Sequence, residues 1–512
     1  MRVRRLELTV WALALAISFN QYPLGILAWF SLVRPLWIIS RQDACRAFSS
    51  AYLFAFMFNL FSLYWVAMVT PPGMIAAVII VAFYYAAALM VFWKLFRIRP
   101  LWGCIAAPLV WVGVEYFRTL SEFAFPWSDL GYSQAYFLYI IQFVSIVSVH
   151  GLSLIIVAVN VLIWQIFRKE AKDERRLTAG FVAVGIVALM ICLGWAMVPK
   201  YPLPGEYTVG LLQGSVPLEV KWAEGNQRHS FQLYDSLARD LQDGEIKLFV
   251  WPETSAPCYL SHDVPARRAI GATAQRTNAF HLVGALGAEV TPEKTRTFNS
   301  CYEFAPDGQM VERYNKVKLV PFSEHVPYQD YLPFLQKNFL KQYLTFIDQA
   351  GGVQWWSDFY PGDSARLFET DRVNYGVLIC FETAFPEFVR GIVRNGADFV
   401  VGITNDTWFG TSVGIYQHAR IFITRAIENR CWMARSANSG LTFVVDPYGR
   451  IREQLGTYEV AGLKVRVGLI DSWSLYTEYG DVAGRVSFFF TLSAAAIMVA
   501  LWLLRKLSKR FS

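Results

Sequence analysis

Charge is scarce in this chain. Only 17% of its 512 residues are Asp, Glu, Lys or Arg, against 55% hydrophobic and a mean hydropathy of +0.33. Soluble domains carry about 25% charge, so the shortage disfavours disorder, a coiled coil and an ordinary cytosolic enzyme. Seven cysteines (45, 104, 192, 258, 301, 380 and 431) lie scattered with no CxxC pair. An odd count fits neither a closed disulfide framework nor a zinc ribbon, so at least one thiol is free or shared between chains. The six histidines show no HExxH or other short ligand spacing, and no metal is expected. GxGxxG, GxxxxGK[ST] and GxSxG are all absent, which removes the usual support for nucleotide binding and for a serine-hydrolase elbow.

What is present is unevenly spread. Apolar runs broken by short polar knots fill 1–200, a stretch typical of a water-soluble α/β domain fills 201–485, and 486–512 is an apolar run with a basic tail. A spanning helix needs roughly 20 apolar residues. Eight candidates meet or approach that length: 7–20, 22–39, 49–69, 74–94, 100–117, 149–167, 178–197 and 486–504. The first two are short and separated by a tight turn near Gln21–Pro23; segment 137–148 is either the start of the sixth span or a re-entrant piece. The predicted organisation is a seven-span membrane domain, a globular domain and an eighth span with its tail.

The basic clusters set the orientation. Arg2, Arg4 and Arg5, Arg41 and Arg46, Lys94, Arg97 and Arg99, the run Arg168–Arg176, and Arg505–Arg510 all fall on one side when eight spans are counted. Loops 70–73 and 119–136 hold no Lys or Arg. By the positive-inside rule both termini are cytoplasmic and the globular domain is extracytoplasmic. This topology also accounts for the net charge of +7 without a nucleic-acid partner. The basic, apolar N-terminus lacks a small-x-small cleavage site and reads as an uncleaved anchor.

In the globular part, runs 207–214, 246–253, 280–287, 297–304, 373–380, 398–404 and 441–446 have the length and punctuation of buried strands. Helical stretches near 227–242, 263–278, 384–395 and 415–430 alternate with them, which predicts helices covering a sheet. Three strand ends carry reactive groups. Glu253 closes Trp251-Pro252-Glu253, where partial desolvation makes a carboxylate a usable base; a capping or salt-bridged glutamate fits the same place. Lys316, Lys318 and Glu324 lie in 314–324, either as a solvated loop or as an ammonium that stabilises an oxyanion and a carboxylate that holds it. Cys380 ends the strand 373–380, as a small buried hydrophobe or as a nucleophile. A free thiol has a pKa of about 8.5 and needs a base or cation beside it to react quickly.

In that order, Glu, Lys and Cys resemble the nitrilase superfamily. Combined with the eight spans, the chain is similar to the apolipoprotein N-acyltransferase family within it. Supporting stretches are Phe125-Pro126-Trp127, Gly131–Gln134, Gln213-Gly214, Lys221-Trp222, Tyr314–Lys316, Leu319–Phe322, Asn405–Gly410 and Gln417-His418. The resemblance implies a multi-span α-helical membrane domain plus an α/β nitrilase-like α-β-β-α sandwich. It implies Glu253 as proton acceptor, Lys316 as oxyanion stabiliser and Cys380 as nucleophile, with Glu324 orienting Lys316 and Glu382 as a further acidic residue. Trp222, Phe381 and Trp408 are implied substrate contacts. Lys318, Ser323 and Phe381 depart from the family's usual His, Gly and Tyr.

The implied reaction moves an acyl chain from a membrane phospholipid, through a thioester, to the N-terminal amine of a diacylglyceryl-modified apolipoprotein. It needs no metal or diffusible cofactor and no nucleic acid, and the resemblance implies a monomer in the bacterial cytoplasmic (inner) membrane with its catalytic domain on the periplasmic side. Segment 326–360, with Tyr331, Leu332, Phe334, Leu335, Phe339, Leu340, Trp355 and Trp356, suits either a lid dipping into the bilayer or ordinary core packing. A membrane-tethered amidase would share the triad but gives no reason for eight spans. A non-catalytic lipid- or lipoprotein-binding protein or transporter would place ionisable residues in the spans, where the sequence has few.

Overall fold

The computed structural model describes residues 2–168, 172–223, 225–292, 294–329, 331–332, 358–370 and 372–511. The chain divides into two units, Met1–Ala67 with Met74–Val198 and Glu478–Ser512, and Met68–Gly73 with Pro199–Thr477.

The first unit is helical. Among the described residues, six helices are long and apolar enough to cross a membrane: Ala44–Leu63, Pro71–Ile98, Pro100–Phe117, Val144–Ile166, Asp173–Met197 and Val482–Ser508. The first two of the eight expected spans do not reach that length. Helix Arg2–Ile17 has 16 residues, about 24 Å at the standard rise against roughly 30 Å of hydrocarbon. The second is a 3₁₀ turn, Gly25–Trp29, followed by the short helix Val33–Ser40. Backbone exposed by such a break must find internal partners in an apolar medium, and buried amides supply them. Asn160 Oδ1 accepts from the Leu32 N–H at 2.9 Å, and its Nδ2 donates to the Ala28 carbonyl at 2.8 Å. Gln134 Nε2 donates to the Gly25 carbonyl at 2.9 Å.

Segment 137–148 holds a separate turn of helix, Leu138–Ile141, before Val144–Ile166, which is interrupted at Ser148 with φ 70°. The ionisable residues buried in this unit pair internally, Arg118 with Asp129 and His150 with Asp481. Glu115 accepts from the Leu130 N–H at 2.9 Å.

The second unit contains two sheets. Strands β1 (Tyr207–Gln213), β2 (Leu248–Val250), β3 (Ala256–Tyr259), β4 (Phe280–Val290), β5 (Thr295–Phe304) and β6 (Met310–Asn315) belong to the first. Strands β7 (Leu367–Glu369), β8 (Asn374–Ile379), β9 (Phe399–Thr404), β10 (Met433–Ala437), β11 (Phe443–Val445) and β12 (Ile451–Gln454) form the second. The last strand, β13 (Ala461–Val467), returns to the first sheet. The orders are β13-β1-β2-β4-β5-β6, with β3 also on β4, and β12-β11-β10-β9-β8-β7. Both centres are parallel, β1-β2-β4 and β8-β9-β10, with antiparallel strands outside them.

Alternation decides which faces meet. Val209 and Leu211 of the first sheet join Tyr375, Val377, Ile379, Phe399, Val401 and Ile403 of the second in one buried cluster. Residues one step out of phase, such as Leu212, Phe249 and Val283, pack on helices Gln227–Leu241 and Val264–Thr277 through Tyr234, Ala238, Ile270 and Ala274. Helix Val264–Thr277 starts where Asp263 accepts from the Ala266 N–H at 2.9 Å and Pro265 presets the first turn; it stops at left-handed Asn278. On the second sheet, helices lie so close that a Cβ at Gly376 would fall 2.0 Å from Ile392 Cγ2, and one at Gly402 2.3 Å from Phe422 Cε2. The result is the expected α-β-β-α sandwich.

Phe399 is fully buried between the sheets, its ring 5.7 Å from Tyr207 and 5.6 Å from Tyr375. Truncating such a ring costs about 3–5 kcal/mol. Phe399→Ala should therefore lower the thermal midpoint of the detergent-solubilised full chain by about 10 °C. An unchanged melt would remove Phe399 from the load of the core.

Candidate active site

The reactive side chains gather at the carboxyl ends of strands of both sheets, where open α/β sheets leave room for ligands. Glu253 follows β2 after Trp251 and Pro252, Lys316 follows β6, Cys380 follows β8, and Thr404, Asn405 and Asp406 end β9.

Glu253 is 6% exposed. Its Oε1 accepts from Asn299 Nδ2 at 2.7 Å and its Oε2 from the Asn405 N–H at 2.8 Å. Lys316 is 1% exposed, and its backbone N–H donates to the Asn299 carbonyl at 2.8 Å, which continues the β5–β6 pairing past the strand end. Its Nζ lies 2.9 Å from Glu324 Oε1 and 3.7 Å from Glu253 Oε1. Burial opposes the ammonium, but the Glu324 and Glu253 carboxylates outweigh it and hold the lysine pKa above its ordinary value. Asn299 Nδ2 also donates to Glu324 Oε1 at 3.0 Å, so one amide pins both carboxylates. Glu324 Oε2 accepts from the Val320 N–H at 2.9 Å.

Cys380 sits at φ 53°, a left-handed conformation unusual for a side-chain-bearing residue, at the turn from β8 into the 3₁₀ helix Cys380–Ala384. Strain of this kind persists where the surroundings over-determine it. Here the Cys380 carbonyl accepts from Thr383 Oγ1 at 3.0 Å and lies 3.1 Å from His418 Nε2. Behind it, His418 Nδ1 is 3.0 Å from Asp406 Oδ1, and Arg435 Nη2 donates to Asp406 Oδ2 at 2.5 Å. Burial and the Glu253 carboxylate push the thiol pKa up, against the Lys316 ammonium and a hydrogen bond with Thr404. The resting group is therefore a thiol.

Glu382 is fully buried and serves a different task from the other acids. Its Oε1 accepts from Tyr314 Oη and the Val317 N–H, both at 2.6 Å, and from the Lys318 N–H at 3.2 Å; its Oε2 accepts from the Ile379 N–H at 2.8 Å. It ties the nucleophile turn to the lysine loop. Burial raises its pKa, while those donors and Lys316 oppose the rise.

Phe381 is buried edge-on to Phe385 with ring centroids 5.3 Å apart, and Lys318 Nζ lies 5.3 Å from the Phe385 centroid. Trp408 is half-buried in the 3₁₀ turn Asp406–Phe409, and Trp222 is exposed after Lys221. The structure thus collects Glu253, Lys316, Glu324 and Cys380, sets Glu382 behind them as an anchor, and leaves Trp222 on the surface. Phe334, Leu335, Phe339, Leu340, Trp355 and Trp356 lie outside the described residues; Tyr331 and Leu332 are exposed. Asn299 was missed. Its signal is an amide on the same strand face as Cys301, in a run otherwise fit for a core.

Buried Glu253, Lys316 and Glu382 and partly buried Glu324 around one thiol, on a two-sheet sandwich, fit a carbon–nitrogen hydrolase type of enzyme. The family model described as carbon-nitrogen hydrolase matches residues 208–473, and that of the apolipoprotein N-acyltransferase N-terminal domain matches residues 11–162. The apolipoprotein N-acyltransferase of Geobacter metallireducens is 31% identical over 96% of this chain and 94% of its own. That of Chlorobaculum tepidum is 29% identical over 93% and 92%, and that of Pseudomonas aeruginosa 31% over 74% and 71%. Among solved structures, a nitrilase-superfamily amidase from Nesterenkonia AN1 aligns at TM-score 0.39 with 19% identity, over 55% of this chain and 96% of that one. The chain belongs to the apolipoprotein N-acyltransferase family. It is a bacterial membrane protein and an N-acyltransferase.

A raised thiol pKa has a direct readout. Alkylation of Cys380 by iodoacetamide, followed by peptide mapping, should keep accelerating through pH 10, since the reactive thiolate is still being formed there. A plateau near pH 8.5, the value of an ordinary free thiol, would contradict the electrostatics described above.

Proposed function

We propose that this N-acyltransferase acylates the N-terminal amine of diacylglyceryl-modified lipoproteins, with a membrane phospholipid as donor and Cys380 as the acyl carrier. Glu253 takes the thiol proton as sulfur attacks the ester carbonyl. Negative charge then develops on the carbonyl oxygen, and the Lys316 ammonium stabilises it; one such donor is worth about 3–4 kcal/mol. Collapse breaks the ester bond, the leaving lysophospholipid oxygen receives the proton from Glu253, and a thioester remains. The incoming amine attacks that thioester, Glu253 accepts its proton, and sulfur leaves to recover the thiol. Glu324 orients Lys316 throughout, and Glu382 positions the nucleophile turn rather than meeting substrate. Trp222 and Trp408 are assigned to substrate contact, as is Phe381, which contributes apolar surface and no hydroxyl.

The observation that carries this reading is the placement of Lys316 Nζ, 2.9 Å from Glu324 and 3.7 Å from Glu253. That geometry leaves a fixed cation within electrostatic reach of the Cys380 sulfur. The basic clusters support a cytoplasmic-membrane protein with residues 201–485 on the periplasmic side, acting as a monomer. Residues 1–200 and 486–512 would hold the donor lipid's environment, and residues 201–485 the chemistry.

A transferase must keep water from its thioester. With phospholipid alone, the purified enzyme should release about one lysophospholipid per active site and stall. A diacylated peptide with a free N-terminal Cys amine should restart turnover, and its N-acetylated form should not. Steady fatty-acid release without peptide would make the enzyme a lipid hydrolase instead.

A further inference from the structure

The reaction above employs one lysine, yet the site contains a second. Lys221 ends the short helix Leu218–Lys221 and is 1% exposed. Its Nζ donates to Thr254 Oγ1 at 3.4 Å, its one hydrogen bond among the described residues, and no carboxylate there reaches it within ion-pair distance. Glu253 is the ionised group whose charge acts on it. Thr254, adjacent to Glu253, has φ 49°, a left-handed conformation costly for a β-branched residue. A buried ammonium so poorly paired is expensive, which points to a purpose beyond packing.

Its place suggests that purpose: Thr254 adjoins the carboxylate that Lys316 and Asn299 approach from the other side.

We propose that Lys221 is a positioning residue for acyl transfer, whose ammonium, hydrogen-bonded to Thr254, fixes the backbone beside the Glu253 carboxylate. This rests on Glu253 being the proton acceptor. Burial pulls the Lys221 pKa down to about 8, with Glu253 opposing the fall. The ammonium is therefore present below about pH 8 and lost above it. The other groups facing Glu253 are Lys316, the Cys380 thiol and the N–H donors of Asn299 and Asn405, with Glu324 beyond Lys316. All remain when Lys221 is replaced.

The test is the single-turnover rate of acyl-enzyme formation by the full chain in phospholipid-containing micelles, followed from pH 5 to 9. Lys221→Met should lower that rate about tenfold, as expected for a misplaced catalytic group, and show no decline near pH 8. Lys221→Arg should restore most of the rate and also lack that decline, because a guanidinium does not titrate there. A Lys221→Met rate equal to that of the unaltered chain, or a Lys221→Met profile that keeps the decline, would overturn the proposal. If Lys221→Met does not fold, Lys221→Arg decides alone, and a decline near pH 8 retained in it is the contrary result. Glu253→Gln separates the two readings. Acylation surviving in Glu253→Gln removes the base assignment itself, whereas an inactive Glu253→Gln with a Lys221→Met rate equal to that of the unaltered chain removes only the role of Lys221.

Discussion

The site depends on a single buried ion cluster. Lys316 Nζ is held 2.9 Å from Glu324 and 3.7 Å from Glu253, and Asn299 donates to both carboxylates. Removing one partner from such a pair costs about 3–5 kcal/mol, because the remaining charge stays buried and uncompensated. The cluster therefore fixes more than a lysine rotamer. Through Asn299 it ties the middle of β5 to the loop after β6, and Glu382 carries that restraint onward to the turn at Cys380. Glu253, Lys316 and Cys380 come from three separate strand ends and are joined by this network.

The same cluster explains how an unfavourable resting thiolate serves acyl transfer. Burial and Glu253 disfavour negative charge on sulfur, while Lys316 favours it. Proton removal is then productive only when charge can pass on to a carbonyl oxygen within reach of Lys316, so binding an ester and activating the thiol become one event. Between substrates the sulfur remains protonated. The left-handed Cys380 is held at its carbonyl by Thr383 and by the His418–Asp406–Arg435 chain, which keeps the sulfur's approach direction constant.

Much of this was legible in the sequence. Buried strands such as 207–213, 374–379 and 399–404 are continuous apolar runs with clear punctuation, and the four helices flanking them are periodic. Strand ends bearing Glu253 and Cys380 could be located for that reason. β6, β12 and β13 were not recognised, since Met310–Asn315, Ile451–Gln454 and Ala461–Val467 alternate with charged residues and lie partly at sheet edges. β10 was missed because Arg435 interrupts it, and that buried arginine is paired with Asp406 and the Leu441 carbonyl. The short helices near the N-terminus looked like spans because composition cannot show where Asn160 and Gln134 satisfy a broken backbone. Glu382 stood out only by its place two residues after Cys380, and its four donors are visible only in the structure. Asn299 gave no local motif, because its function arises from two acids that lie 46 and 25 positions away.

The central claim is that an acyl chain resides on Cys380 between donor and acceptor. Its most direct test is mass spectrometry of the full chain incubated with a phospholipid of defined acyl composition and quenched in acid. The account predicts one added acyl mass, confined to the peptide that contains Cys380, removed by neutral hydroxylamine and discharged by a free N-terminal amine. An acyl adduct on any other residue, or N-acyl transfer surviving in Cys380→Ala, would contradict it.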